Sequence, residues 1–341
     1  MTNSQAANGQ GNGKAYLILI IGVIFLAFTA PWVKLSNFEP ATSVLLRCGL
    51  GFLALLPFMI REAKKHGSLS KTGVTLSLLA GLFLGIDFTA WNYSIYYVGS
   101  GIASVLLNMQ VIILPALAFL FDRERIPKSY FLVAPIMILG VVMTGGIFDS
   151  ADVTIVGPTT IYGMNLAALG TIAGIISGVC YGIYLYTSRK ASSGSINIIV
   201  QPMAYATLAQ LVAPILWLLF SDIGQLNFTE GVLTNGALPL NPETTVGDPI
   251  NAMNWFWMFV LAILGQAVAW TFVQYGAVRL NATIVAGILL LSPISTVAII
   301  AVILFGEIPS TIQTLGVIIA LGAVAYQNGL HRLIFKRKPN N

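Results

Sequence analysis

The sequence predicts an all-α polytopic membrane protein of ten transmembrane helices in two inverted five-helix repeats, with N and C termini cytoplasmic. Three observations predict it. The 341-residue chain is 57% hydrophobic and 9% charged, whereas a soluble chain has about a quarter of its residues charged. Ten apolar runs are each long enough to cross roughly 30 Å of hydrocarbon, which takes about 20 helical residues. The basic residues alternate with these runs in a pattern that fixes orientation.

The runs fall at about 15–33, 40–60, 73–97, 100–121, 129–147, 162–187, 196–220, 254–277, 281–305 and 311–333. The first is too long for a secretory signal and nine more follow it, so it reads as a retained span. Residues 1–14 are rich in Gly, Asn and Gln and read as a disordered tail. Cys48 and Cys180 both lie inside spans, where a small apolar role suits them.

With the N-terminus inside, the cytoplasmic segments hold Lys14, Arg61, Lys64, Lys65, Lys71, Arg123, Arg125, Lys128, Arg189, Lys190, Arg279, Arg332, Lys336, Arg337 and Lys338. That is 15 of the 17 basic residues, which satisfies the positive-inside rule. Lys34 is external and Arg47 lies within span two. The external loops after spans five and seven carry Asp149, Asp152, Asp222, Glu230, Glu243 and Asp248 with no basic residue between them. The net charge of +5 is therefore topological, and a nucleic-acid partner is not expected.

The two halves resemble each other. Ala90-Trp91 aligns with Ala269-Trp270 at an offset of 179, and the same offset pairs Asp87 with Gln266, Tyr96 with Tyr275, Ala103 with Ala282 and Ser104 with Thr283. After small shifts, Pro115 pairs with Pro293 and Ile126-Pro127 with Ile308-Pro309. Five spans per half make the second copy start from the opposite side, an arrangement shared by many secondary carriers. The domain reading is a first repeat over 15–147, an external linker at 148–161, a second repeat over 162–333 with an external insertion at 221–253, and a basic tail at 334–341.

Several features together resemble the ten-span EamA-type carriers of the drug/metabolite transporter superfamily. They are Pro31-Trp32 closing span one, Arg47 in span two, the run Trp91 to Asn108, the proline-centred spans four and nine, Arg123-Glu124-Arg125, and Gly306-Glu307-Ile308-Pro309. The resemblance covers about residues 15–333. It implies transport of a small metabolite, mostly outward, and leaves the cargo open. Asp87 departs from the pattern, since many relatives have a neutral or imidazole side chain there.

Asp87 is the residue around which a site can be built. An ionisable side chain in a bilayer interior is costly and marks function by default. Counting 1.5 Å per residue, Asp87 lies about 20 Å from the cytoplasmic end of span three, Arg47 about 10 Å down from outside and Asn108 about 12 Å down. These depths coincide, so the three form a candidate polar cluster in which Asp87 and Arg47 either pair structurally or serve cargo. Helical spacing puts Ser77, Asp87, Trp91 and Ser94 on one face of span three. The mirrored face of span eight reads Gln266, Trp270, Gln274, while span six adds Ser177, Tyr181 and Tyr184 and span one adds Trp32. Such a pocket has aromatic walls and few polar groups, as small-molecule sites do. Aromatic faces around one carboxylate suit a cation or amine. In a second reading Asp87 exchanges a coupling proton. For any single glutamine or tyrosine, helix-to-helix adhesion is the competing role.

Enzyme chemistry lacks its residues. His66 and His331 lie in cytoplasmic segments, no span has a metal-ligand pair, no second intramembrane Asp makes a dyad, and no phosphate-binding Gly-Lys-Ser loop is present. The expectation is a non-enzymatic secondary transporter without cofactor or metal, moving an amino acid or amine-bearing metabolite across a prokaryotic cytoplasmic (inner) membrane, as a monomer or homodimer. The alternative is a membrane scaffold or lipid scramblase without solute transport.

Overall fold

The computed structural model describes all residues except 1–3, 124–129, 145–159, 162, 192–196, 222, 235–246, 281–284, 286–287, 297–301, 307 and 328–341. The chain opens with α1 (Ser4–Ser36), α2 (Pro40–His66) and α3 (Lys71–Val98). Glu39 caps α2 by accepting from Thr42 N, with Pro40 in the first turn where its missing N–H costs nothing. Ser70 caps α3, and Gly99 at φ +91° ends it in a backbone conformation that favours glycine. The fourth span is α4 (Ser100–Leu106), a 3-10 turn at Leu107–Met109, and α5 (Gln110–Asp122). Then come α6 (Tyr130–Thr144), a two-residue hairpin of β1 (Thr160–Ile161) and β2 (Met164–Asn165), and α7 (Leu166–Ala191).

The seventh span is broken into α8 (Val200–Gln210) and α9 (Val212–Phe220). Pro214 explains the break, because it has no N–H to offer the Gln210 carbonyl four residues earlier. The eighth span is α10 (Ala252–Val260), a π-helical segment at Leu261–Val268, and α11 (Ala269–Ala277). The remaining described helices are α12 (Leu291–Ser295), α13 (Val302–Phe305) and α14 (Thr311–Gln327).

Among the described residues, seven helices are long and apolar enough to cross a membrane, and Tyr130–Thr144 and Thr311–Tyr326 are shorter apolar helices. The expected ninth span is described only through α12 and α13, so the described residues do not make up the ten continuous helices that the sequence suggests. The expected tail at 1–14 differs as well, being helical from Ser4. The Ile126-Pro127 and Ala282-Thr283 matches, Glu124, Glu307, the basic tail at 334–341 and all but Thr160–Ile161 of the linker lie outside the described residues.

Polarity is inverted relative to a soluble protein. Phe220 is 82% exposed and Phe131 70%, while Arg47 is 1% exposed and Asp87 2%. The surface suits hydrocarbon, and the polar groups are held inside. Helix α3 lies at the centre, against α7 and α8, while α1 packs on α11, α2 on α8 and on the π-helical segment, and α6 on α14. Glycines allow the closest approaches. A Cβ on Gly81 would collide with the backbone of Ala206, and one on Gly85 would lie 2.5 Å from the Gln210 carbonyl that Pro214 leaves without its helical donor.

Of the segment 221–253, read as an insertion without a role, the described stretch around 225–233 packs against the α1–α2 turn. Asn37, at φ +56°, accepts from Val232 N and Leu233 N and donates to the Leu233 carbonyl. Thr42 Oγ donates to the Gln225 carbonyl at 2.8 Å, and Asn254 donates to the Leu35 carbonyl at 3.0 Å.

Candidate functional site

Two buried polar centres adjoin at α3, one built on Arg47 of α2 and one on Asp87 of α3 itself. The first belongs to Arg47 on α2. Its Nε donates to Gln266 Oε1 at 3.0 Å, and its guanidinium lies 3.9 Å from the Phe88 ring centroid and 6.0 Å from that of Trp91. Gln266 extends the network by donating to Gln210 Oε1 at 2.8 Å and to Thr207 Oγ at 3.4 Å, and Cys48 Sγ also donates to Gln210 Oε1. Gln266 sits in the π-helical segment, a geometry enriched at functional sites. Gly51 of α2 leaves room for it, since a Cβ there would come within 2.6 Å of Gln266 Cγ.

The second centre is Asp87, which accepts a short hydrogen bond from Ser177 Oγ of α7. Asp87 also lies within electrostatic range of Arg47, Cys180, Tyr181 and Tyr184. It does not form a salt bridge with Arg47. Each charge has a neutral hydrogen-bond partner on another helix, so the fixed ion pair weighed from the sequence is absent.

An aromatic wall joins the centres. The Phe88 and Trp270 centroids are 6.0 Å apart, and Trp270 meets Tyr181 and Tyr184 edge-on at 5.8 and 5.5 Å. The two tyrosines stack at 6.0 Å. Trp32 stacks on Phe28 at 5.8 Å and flanks Gly265 beside Gln266. Trp91 and Ser94 are buried on α3, Ser94 against Gly174 of α7. Gln274 lies farther along, lining a cavity of about 10 Å³ with Ser77, Tyr184 and Ser188.

The structure thus gathers Asp87, Arg47, Tyr181, Tyr184, Gln266 and Trp270 around Phe88, with Trp91 and Trp32 beside them. Asn108 stands apart in its bonding. It is buried, but its side-chain amide donates to the Val105 carbonyl at the 3-10 turn rather than to Arg47 or Asp87. Such local bonds compete with the helical ladder, which suits a residue at a helix break. Sequence reasoning missed Phe88, whose signal was its place beside Asp87 facing the only basic residue in span two. It placed Ser177 on the pocket face of span six without pairing it with Asp87.

Among the described residues, several buried donors at this site have no acceptor: Arg47 Nη1, Trp91 Nε1, Trp270 Nε1 and Gln210 Nε2, together with the Ser94 hydroxyl. Most buried polar groups are paired, so unpaired ones concentrated here need an explanation. Among the described residues no group of three or more His, Cys, Asp or Glu could hold a metal ion.

A bundle of apolar membrane-length helices, lipid-suited outside and polar within, defines a multi-pass membrane protein. Residues 13–146, less than half of the chain, match the EamA-like transporter family, in line with the resemblance read from the sequence, and the match suggests a membrane transporter of the drug/metabolite type. A solved structure titled only "Crystal structure of protein" aligns with a TM-score of 0.57 at 12% identity, covering 95% of this chain and 99% of its own. That likeness concerns the fold alone, and it extends well past residue 146. No curated protein matches the chain.

Proposed function

We propose that this chain is a secondary transporter that moves a small amphipathic metabolite by alternating access between two inverted repeats of a ten-helix bundle. The observation that carries the proposal is the pair of buried opposite charges, Arg47 and Asp87, each bonded to a neutral partner on a different helix. Charges already neutralised by each other would have little left for a ligand. These two retain it.

The helix contacts support the repeat reading. Exchanging each span with the one five places later turns α3 on α7 into α11 on α1, and α2 on the π-helical segment into α8 on α3. The pairs α2 with α8 and α6 with α14 map onto themselves. This is the pattern of a pseudo-two-fold with a site at the repeat interface.

The cargo we favour is an amino acid. Asp87 would receive its ammonium group, or else a coupling proton. The unpaired donors of Arg47, Trp91 and Trp270 favour a cargo with an acceptor at its other end over a plain amine. Tyr181, Tyr184 and Trp270 would hold an apolar side chain. Gln266 and Gln274 would continue the polar face of span eight, with Trp32 and Ser94 at its margin and Asn108 shaping the break in span four. Export across a prokaryotic cytoplasmic membrane is preferred on the resemblance.

Counterflow of labelled amino acids in proteoliposomes tests this reading. Saturable, competable flux that is lost or changes its pH profile in Asp87→Asn supports it. Flux without saturation points to a channel, and no solute flux points to the scaffold or scramblase reading. Unchanged flux and pH profile in Asp87→Asn would reduce the carboxylate to a structural role.

A further inference from the structure

A groove of about 300 Å³ opens where the basic end of α2 meets the start of α8, lined by Met59, Ile60, Ala63, Lys64, Ser68, Gln201 and Tyr205. It is remote in sequence and in lining residues from the Arg47–Asp87 layer. Its construction is specific. Glu62, one turn before His66, is drawn away from the groove to cap α8, accepting from the backbone N–H groups of Ile199, Val200 and Gln201 at 2.8–3.1 Å. Gln201 is held by bonds to Leu69 N and the Gly67 carbonyl, which clamp the α2–α3 turn over the groove. The acidic neighbour is thereby occupied, while the ammonium of Lys64 has no anionic partner among the described residues. Ser68 and Tyr205 contribute two further hydroxyls to the lining, with no acceptor among the described residues.

The wall is apolar. Ile60 is 47% exposed and Phe58, one residue outside the lining, 60%. An apolar wall at the end of a membrane-length helix, closed by a free cation and two hydroxyls, matches one kind of molecule. Its head must be anionic and rich in acceptors, and its tail must be hydrocarbon. Basic pockets between helices at the membrane surface bind anionic lipid head groups in this manner.

We propose that this groove is a binding site for an anionic phospholipid, with the phosphodiester held by Lys64, Ser68 and Tyr205 and an acyl chain laid along Met59 and Ile60. Bound there, the lipid would bridge α2 and α8, two of the helices that build the Arg47–Gln266–Gln210 network. The proposal does not depend on the identity of the cargo.

Native mass spectrometry of the detergent-purified chain tests it, using phosphatidylglycerol against phosphatidylcholine of the same acyl chains. Preferential retention of phosphatidylglycerol is expected, weakened about fivefold in Lys64→Ala, since one basic residue near a membrane surface contributes about that factor. Tyr205→Phe should weaken it further, and Lys65→Ala, outside the groove lining, should not. Equal retention of both lipids overturns the proposal. So does an unchanged preference in Lys64→Ala, or an equal loss in Lys65→Ala, which would mean general surface charge. Displacement of the lipid by millimolar inorganic phosphate would also overturn it, by assigning the site to free anion.

Discussion

Among the described residues, Arg47 and Asp87 are the two buried charges, and they are bonded past each other: Arg47 to Gln266 on span eight, Asp87 to Ser177 on α7. Phe88, the residue after Asp87, carries the guanidinium on its face at 3.9 Å. The two charges are therefore held by different helix pairs, and substitutions should separate them.

Asp87→Asn keeps an oxygen for the Ser177 hydroxyl, so its stability should stay within about 1 kcal/mol of the wild type. Ser177→Ala instead leaves a buried carboxylate oxygen without its donor and should cost about 1–3 kcal/mol. Thermal unfolding in detergent checks this order. The reverse order would mean that the charge of Asp87 is satisfied mainly by Arg47.

Gln266→Ala should be more damaging. It removes the acceptor for Arg47 Nε and the donor to Gln210 in one step. Removing a hydrogen bond to a buried charge costs about 1.5–3 kcal/mol, and the loss of the donor to Gln210 adds to it. Gln266→Glu restores an acceptor at the same reach and should recover much of the loss in melting temperature. If Gln266→Ala melts with the wild type, the network is incidental to the fold.

How much of this was legible in sequence depends on the kind of signal. Span positions and the polar faces of α3 and span eight follow from hydropathy and helical period, and both Asp87 and Gln266 were found that way. The partner of each charge was not legible. Depth counting placed Arg47 and Asp87 at one level, but level says nothing of azimuth, and azimuth sends Arg47 to Gln266 instead. The π-helical segment around Gln266 has no composition signature, and the break at Leu211 was visible only as Pro214. Glu39 was passed over because a loop carboxylate ordinarily signals nothing. Its structural role depends on Tyr93 and Trp217, which are distant in sequence.

Close approach of α3 and α8 predicts a sharp contrast between two glycines. A Cβ at Gly85 would lie 2.5 Å from the Gln210 carbonyl and 2.9 Å from its Cα, both backbone atoms that move only if α8 moves. Gly85→Ala should therefore cost about 1–3 kcal/mol, and should lower transport by pulling Gln210 away from Gln266. At Gly49 the nearest atom to such a Cβ is Leu211 Cδ2 at 4.0 Å. Gly49→Ala should be neutral or stabilising by up to about 1 kcal/mol, as alanine is the better helix former. Equal melting temperatures for the two variants would contradict the packing.

Glu39 gives the pH dependence. Its carboxylate accepts from Tyr93 Oη at 2.6 Å and from Thr42 N at 2.7 Å, while Trp217 Nε1 donates to the same tyrosine at 3.0 Å. Burial raises its pKa above 4.5, opposed by the hydrogen bonds from Tyr93 and from the backbone of Thr42 and Ala41. The folded state thus holds this proton to higher pH than the unfolded state does. Its contribution to stability is full below 4.5 and is lost as pH rises through the raised value. Glu39→Gln keeps one acceptor oxygen in place of the two that serve Tyr93 and Thr42 and does not titrate, so the lost acceptor shifts its stability by a constant amount across this range. The stability difference, wild type minus variant, should fall as pH rises above 4.5 and then level off. Paired melting curves across that range measure it. A flat or rising difference would show that the hydrogen bonds outweigh burial at this turn.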